Sequence, residues 1–81
     1  IFTVSVLLPD KPGELVKVAQ IIANANGNVI KLDHNQFVSI NRKATVELRI
    51  TIEAFGHEHK EQIVSELEKN GLRPRLVKVN I

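Results

Sequence analysis

The sequence predicts an α+β domain in which two helices cover one face of a four-stranded antiparallel sheet. Three observations point there. Residues 2–8, 28–40, 44–53 and 72–81 alternate apolar and polar side chains with the period of a strand. Between them, residues 12–26 and 56–70 repeat at helical spacing, and each run closes on an Asn-Gly pair, Asn26-Gly27 and Asn70-Gly71. The elements follow as β-α-β-β-α-β within 81 residues, with no linker, repeat or low-complexity tract. Two helical crossovers around one hairpin give the ferredoxin-like sandwich, with strand order 4-1-3-2 and the second and fourth strands at the edges.

Each element has its own signal. In the first strand Phe2, Val4, Val6 and Leu8 share a face. The chain then reads Asp10-Lys11-Pro12-Gly13-Glu14-Leu15, and a helix is expected from about Pro12, because a first turn does not need proline's missing N–H. Asp10 is placed to cap it, accepting from the N–H near Gly13. Along that helix Leu15, Val18, Ile22 and Ala25 recur at three- and four-residue steps, with Glu14, Lys17, Gln20 and Asn24 on other faces. In the second strand Ile30, Leu32, Val38 and Ile40 are in phase. His34 and Gln36 interrupt that apolar face, so a bulge or an overhanging strand is expected there. Asn41-Arg42-Lys43 makes the hairpin turn. The third strand then sends Val46, Leu48, Ile50 and Ile52 one way and Thr45, Glu47, Arg49 and Thr51 the other, one face buried and one solvated. Gly56-His57-Glu58 opens the second helix, which carries Ile63, Val64 and Leu67. Pro74 cannot donate to a ladder, so the last strand belongs at an edge.

Composition narrows the function classes. With 43% hydrophobic content the chain makes one small domain, burying roughly 60% of its unfolded surface. Three Phe and no Trp or Tyr leave the core to Val, Ile and Leu, and the lack of cysteine removes disulfides and thiolate metal sites. A net charge of +2 is too small to suggest a nucleic-acid binder. No apolar run approaches the roughly 18 residues of a membrane span, and no signal peptide is expected ahead of the first strand. The absence of methionine and a start inside a strand predict that residues 1–81 are one domain of a longer polypeptide.

Catalytic chemistry is not expected. His57-Glu58-His59 invites a metal reading, but Glu61 stands where a second zinc-motif histidine would be, and two histidines two apart on a helix point in different directions. They read as solvated groups in the first turn. Asp33 and His34 are neighbours on a strand and face opposite sides of the sheet. No serine or cysteine nucleophile sits in a recognisable motif. Arg73, Arg75 and Lys78 lack interleaved aromatics and read as a solvated edge that discourages aggregation. Neither GxGxxG nor the Walker spacing is present. What remains is the turn after the first strand. Gly13 leaves bare backbone N–H groups at the positive end of a helix, an outline suited to a carboxylate or small anion, although a Pro-Gly pair also makes an ordinary tight turn. Asn28, entering the second strand, carries both a donor and an acceptor, and equally suits a turn.

Leu8-Pro9-Asp10-Lys11-Pro12-Gly13-Glu14-Leu15 after the first strand, with Gly27-Asn28-Val29-Ile30 entering the second, resembles an ACT domain over essentially the whole chain. More narrowly, that run together with Asn28-Val29-Ile30-Lys31-Leu32-Asp33-His34-Asn35 is similar to the C-terminal ACT domain of threonine dehydratase (threonine ammonia-lyase). The resemblance implies a cytoplasmic regulatory module that has no catalytic machinery and senses an amino acid. It pairs with a second copy and serves a parent catalytic domain that holds pyridoxal phosphate and its lysine. It also implies where the effector sits: between Asp10, Lys11, Pro12, Gly13, Glu14 and Leu15 of one subunit and Asn28, Val29 and Ile30 of another. In the serine-sensing domain of phosphoglycerate dehydrogenase a comparable loop reads Asn-x-Pro-Gly. Asp10 takes the place of that Asn, Gly13 matches the Gly, and Asn28 matches a partner Asn. That domain has a His two residues before the loop Asn, where this chain has Leu8. The departure disfavours a serine-like effector and leaves room for an aliphatic one, so the effector class is a branched-chain amino acid, threonine or serine. Leu15, Val29 and Ile30 are then placed to surround a branched side chain. The alternative is a purely structural dimerisation module with no retained site.

Overall fold

In the computed structural model six elements follow in order: β1 (Phe2–Pro9), α1 (Glu14–Asn24), β2 (Asn28–Phe37), β3 (Thr45–Glu53), α2 (His57–Lys69) and β4 (Arg75–Val77). The structure describes residues 1–9, 11–37 and 45–77. The four strands form one sheet in the order β2-β3-β1-β4, every neighbouring pair antiparallel. This is the expected 4-1-3-2 order read from the other edge. The short β4 lies at an edge, as expected, but begins at Arg75 and not at Leu72, so Pro74 stands ahead of the ladder.

Alternation builds the core. Phe2, Val4, Val6 and Leu8 of β1 and Val46, Leu48, Ile50 and Ile52 of β3 all point to one side, where Val18 and Ile22 of α1 and Ile63 and Leu67 of α2 close over them. All twelve are buried, and each large aliphatic among them contributes about 1.5–3 kcal/mol relative to exposure. Lys60 of α2 also sits 5.6 Å from the ring centroid of Phe2.

The helix-free face is less solvated than its alternation suggests. Glu47, expected among the solvated residues of β3, is only 9% exposed. Its carboxylate accepts from Ser5 Oγ at 2.6 Å, Arg49 Nε at 3.1 Å and Asn35 Nδ2 at 3.4 Å, which ties β1, β3 and β2 together. The Ser5 hydroxyl first, then the Arg49 guanidinium and the Asn35 amide, hold its pKa below the ordinary carboxylate value despite the burial. Thr3 and Thr51 share a further hydroxyl bond at 3.0 Å on the same face.

Four further local expectations need correction. Helix α1 starts at Glu14, not near Pro12, because Gly13 at its N-cap has φ +89°, a left-handed value that no helical residue takes. The proposed cap, Asp10, lies outside the described residues. Helix α1 also ends two residues early, with Ala25 as its C-cap and Asn26 turning left-handed at φ 63°. Leu15, placed on its apolar face, is 40% exposed. The irregularity in β2 falls at Ile30 and not at His34 and Gln36. Val29 pairs with Ile52 and Lys31 with Thr51, so Ile30 is the extra residue. Val29 and Leu32 therefore both pack against the core, and Ile30 is half exposed. The expected positions of Val38, Ile40, the Asn41-Arg42-Lys43 turn, Ala44, Lys78 and the end of the last strand lie outside the described residues.

Candidate functional site

The turn ahead of α1 is open. Lys11, Pro12 and Gly13 are exposed and Glu14 is half buried. The Lys11 N–H donates to the Pro9 carbonyl at 2.9 Å, and the Gly13 carbonyl accepts the Lys17 N–H at 3.0 Å. Among the described residues, the N–H groups of Gly13, Leu15 and Val16 have no backbone acceptor. A Cβ built on Gly13 meets nothing within 4 Å. Positive φ, free donors and empty space together make this corner able to receive a small anionic group.

The second candidate segment starts β2. Asn28 is exposed, and its Nδ2 donates to Glu53 Oε1 at 3.3 Å, across the strand pair that joins these two residues. Val29 is half buried against the core and Ile30 points outward. His59 braces this corner from behind. Its Nδ1 accepts the Phe55 N–H at 2.9 Å, and its Nε2 lies 2.7 Å from the Ala25 carbonyl, to which it donates. One imidazole thus links the loop after β3 to the end of α1. His59 is therefore not the solvated group expected from its position. His57 is, and its Nε2 meets Glu61 at 3.1 Å. The ring of Phe55 stacks on His59 with centroids 5.3 Å apart and is 92% exposed. A concavity of about 610 Å³ opens beside them, between Gly27, Gln62 and the Phe55 ring.

Within one chain the two segments do not meet. The turn of residues 11–13 follows Pro9, which pairs with Thr45 and through it with Phe37. Asn28 and Val29 lie at the other end, beside Glu53, Ile52 and Phe2. The eight-residue β1 separates the two ends by roughly 23 Å at about 3.3 Å per residue. Sequence reasoning passed over Glu53 and Phe55 and took His59 for a solvated group. No sequence signal set Glu53 opposite Asn28, because that pairing depends on the register of β2 on β3. None existed for Phe55 and His59, whose contacts depend on how two loops meet.

Comparison with known proteins bears on the fold and the family. No curated protein sequence matches the chain. Among solved structures it is similar to the ACT domain of prephenate dehydrogenase from Bacillus anthracis, with 19% identity, a TM-score of 0.66, and 90% of this chain and 99% of that one covered. A prephenate dehydratase from Streptococcus mutans gives 18% identity and a TM-score of 0.68 over 93% of this chain. A protein from Bacteroides thetaiotaomicron gives 20% identity and 0.66, also over 93%. The chain spans only 39% and 45% of those last two proteins, and identities this low speak to the fold alone. A family model described as the ACT domain matches residues 2–72, nearly the whole chain. The chain therefore belongs to the ACT domain family, regulatory modules that bind amino acids and have no catalytic function of their own.

Proposed function

We propose that this domain is the effector-sensing and oligomerisation module of a pyridoxal-phosphate-dependent threonine dehydratase, and that it binds a branched-chain amino acid, threonine or serine between two copies of itself. One observation carries the two-chain site: the candidate segments are both open, yet occupy opposite ends of one sheet. A single chain has no way to close them on one ligand. The edge strand β2, ten residues long, has one side unpaired in the sheet. Antiparallel pairing of this edge with its copy about a two-fold axis sets residues 11–15 of one protomer toward Asn28, Val29 and Ile30 of the other.

In such a site the N–H groups after Gly13 hold the effector carboxylate, and Asn28 fixes its orientation from across the interface. The exposed Leu15 and Ile30 flank an aliphatic side chain. A ligand held by two chains favours the quaternary arrangement that brings both halves together, and this couples effector level to assembly. The parent assignment rests on the run from Leu8 to Leu15 followed by Asn28 to Asn35. The chemistry of the parent belongs to a separate domain.

Calorimetric titration with isoleucine, valine, leucine, threonine and serine tests the reading. Saturable heat with at least one of them, abolished by Gly13→Leu, is the expected result. A dimer whose stability ignores all five amino acids would instead mark a module that only oligomerises.

A further inference from the structure

We infer that Glu53 is a positioning and specificity residue, which makes the start of β2 the ammonium-reading end of the effector site. This rests on the two-chain site proposed above and goes beyond it. A carboxylate accepts hydrogen bonds and cannot donate them, so the edge of the Asn28 amide that faces Glu53 Oε1 at 3.3 Å must be the NH₂ edge. The Asn28 carbonyl oxygen is thereby turned away from Glu53. Among the described residues no cation pairs with Glu53, and its second oxygen has no protein partner. The corner therefore presents two outward acceptors, Asn28 Oδ1 and Glu53 Oε2, and one negative charge.

The corner is also held in place. Asn28 and Glu53 are direct partners across the β2–β3 pair. Two residues past Glu53 the Phe55 N–H is tied to His59, and His59 in turn to the carbonyl of Ala25, three residues before Asn28. Both chain segments leading to the pair are stitched to the same imidazole. A pre-set pair of acceptors with net negative charge selects an ammonium and repels a carboxylate. The effector then has a fixed polarity across the interface: carboxylate toward the Gly13 turn of one chain, ammonium toward Glu53 of the other. The ammonium thus falls to Glu53 and not to Asp10.

The test compares isoleucine, threonine and serine, each with its α-hydroxy acid, by calorimetry on the native chain and on Glu53→Gln. Melting temperature and oligomeric state establish that the variant is intact. Glutamine keeps the shape, removes the charge and allows the Asn28 amide to turn over. Amino-acid affinity is expected to fall at least about tenfold in the variant while α-hydroxy-acid affinity stays level, so that the preference for the amino group collapses. If native chains bind an amino acid and Glu53→Gln leaves the preference intact, whether both affinities fall or neither does, the role of Glu53 is overturned and the two-chain site stands. If native chains bind no amino acid, the site and this inference fall together.

Discussion

Gly13 and Gly27 flank the same helix. Gly13 has φ +89° and empty space on every side of where a Cβ would stand. At Gly27 a Cβ would lie 2.7 Å from Ile22 Cγ2, 3.0 Å from Ile63 Cδ1 and 3.2 Å from the Ile22 carbonyl oxygen. One is glycine because of its backbone, the other because two helices close on it. In the bare sequence both read as turn residues. The difference teaches which end of α1 is built for packing and which is left open for something else. At Gly27 the turn seals the core through Ile22 and Ile63, both fully buried. At Gly13 nothing is sealed, and three amide N–H groups have no backbone acceptor among the described residues.

Substitutions break or sharpen that contrast. The largest effect is expected at Gly27→Val, which overpacks a stiff β-branched neighbour and should cost about 3 kcal/mol or more by chemical denaturation. Unchanged stability there would mean that α1 and α2 do not close on this turn. Glu47→Ala comes next. It leaves Ser5 and Asn35 without their carboxylate on the helix-free face and should cost about 1–3 kcal/mol. Gly13→Ala ranks below it at about 1–2 kcal/mol, the price of a left-handed backbone alone, and Gly13→Asn should recover part of that. Effector affinity should respond in the opposite order, with Gly13 variants affected most.

The smallest effect is one of pH. Glu47 has a lowered folded-state pKa, so the unfolded chain binds its proton first as the solution is acidified. Its contribution is fully present above the ordinary carboxylate pKa and is lost as pH falls through the lower folded value. Melting temperatures measured from neutral pH down to about pH 3 should drop less steeply for Glu47→Gln than for the native chain. Parallel curves would show that the Ser5 and Arg49 contacts do not hold the carboxylate ionised.

Most of the fold was legible because period-two and helical patterns are local. The faces of β1 and β3, the edge position of β4 and the strand order all follow from alternation, Pro74 and the crossover rule. The failures at Ile30, Glu47 and His59 share one physical cause: each depends on a partner distant in sequence. Ile30 reads as core by phase, yet the register of β2 on β3 expels it. Glu47 reads as solvated by alternation, but Ser5, forty-two residues earlier in sequence, meets it across the sheet. His59 reads as a surface residue until the Ala25 carbonyl, thirty-four residues away, lies beside it. The candidate site was legible as two motifs, Gly13 with its neighbours and Asn28 with its own. That they face opposite ends of the sheet followed only once the register was known.

Complementation between chains tests the central claim most directly. Gly13→Leu disables one half of the site and Asn28→Ala the other, so neither variant alone should bind the amino acid that the native chain binds. After the two are mixed and allowed to exchange subunits, each mixed dimer regains one native Gly13 turn facing one native Asn28. Calorimetry should then show binding reappear in the mixture with native affinity. If exchange is verified and the mixture stays as silent as its components, the site does not span two chains.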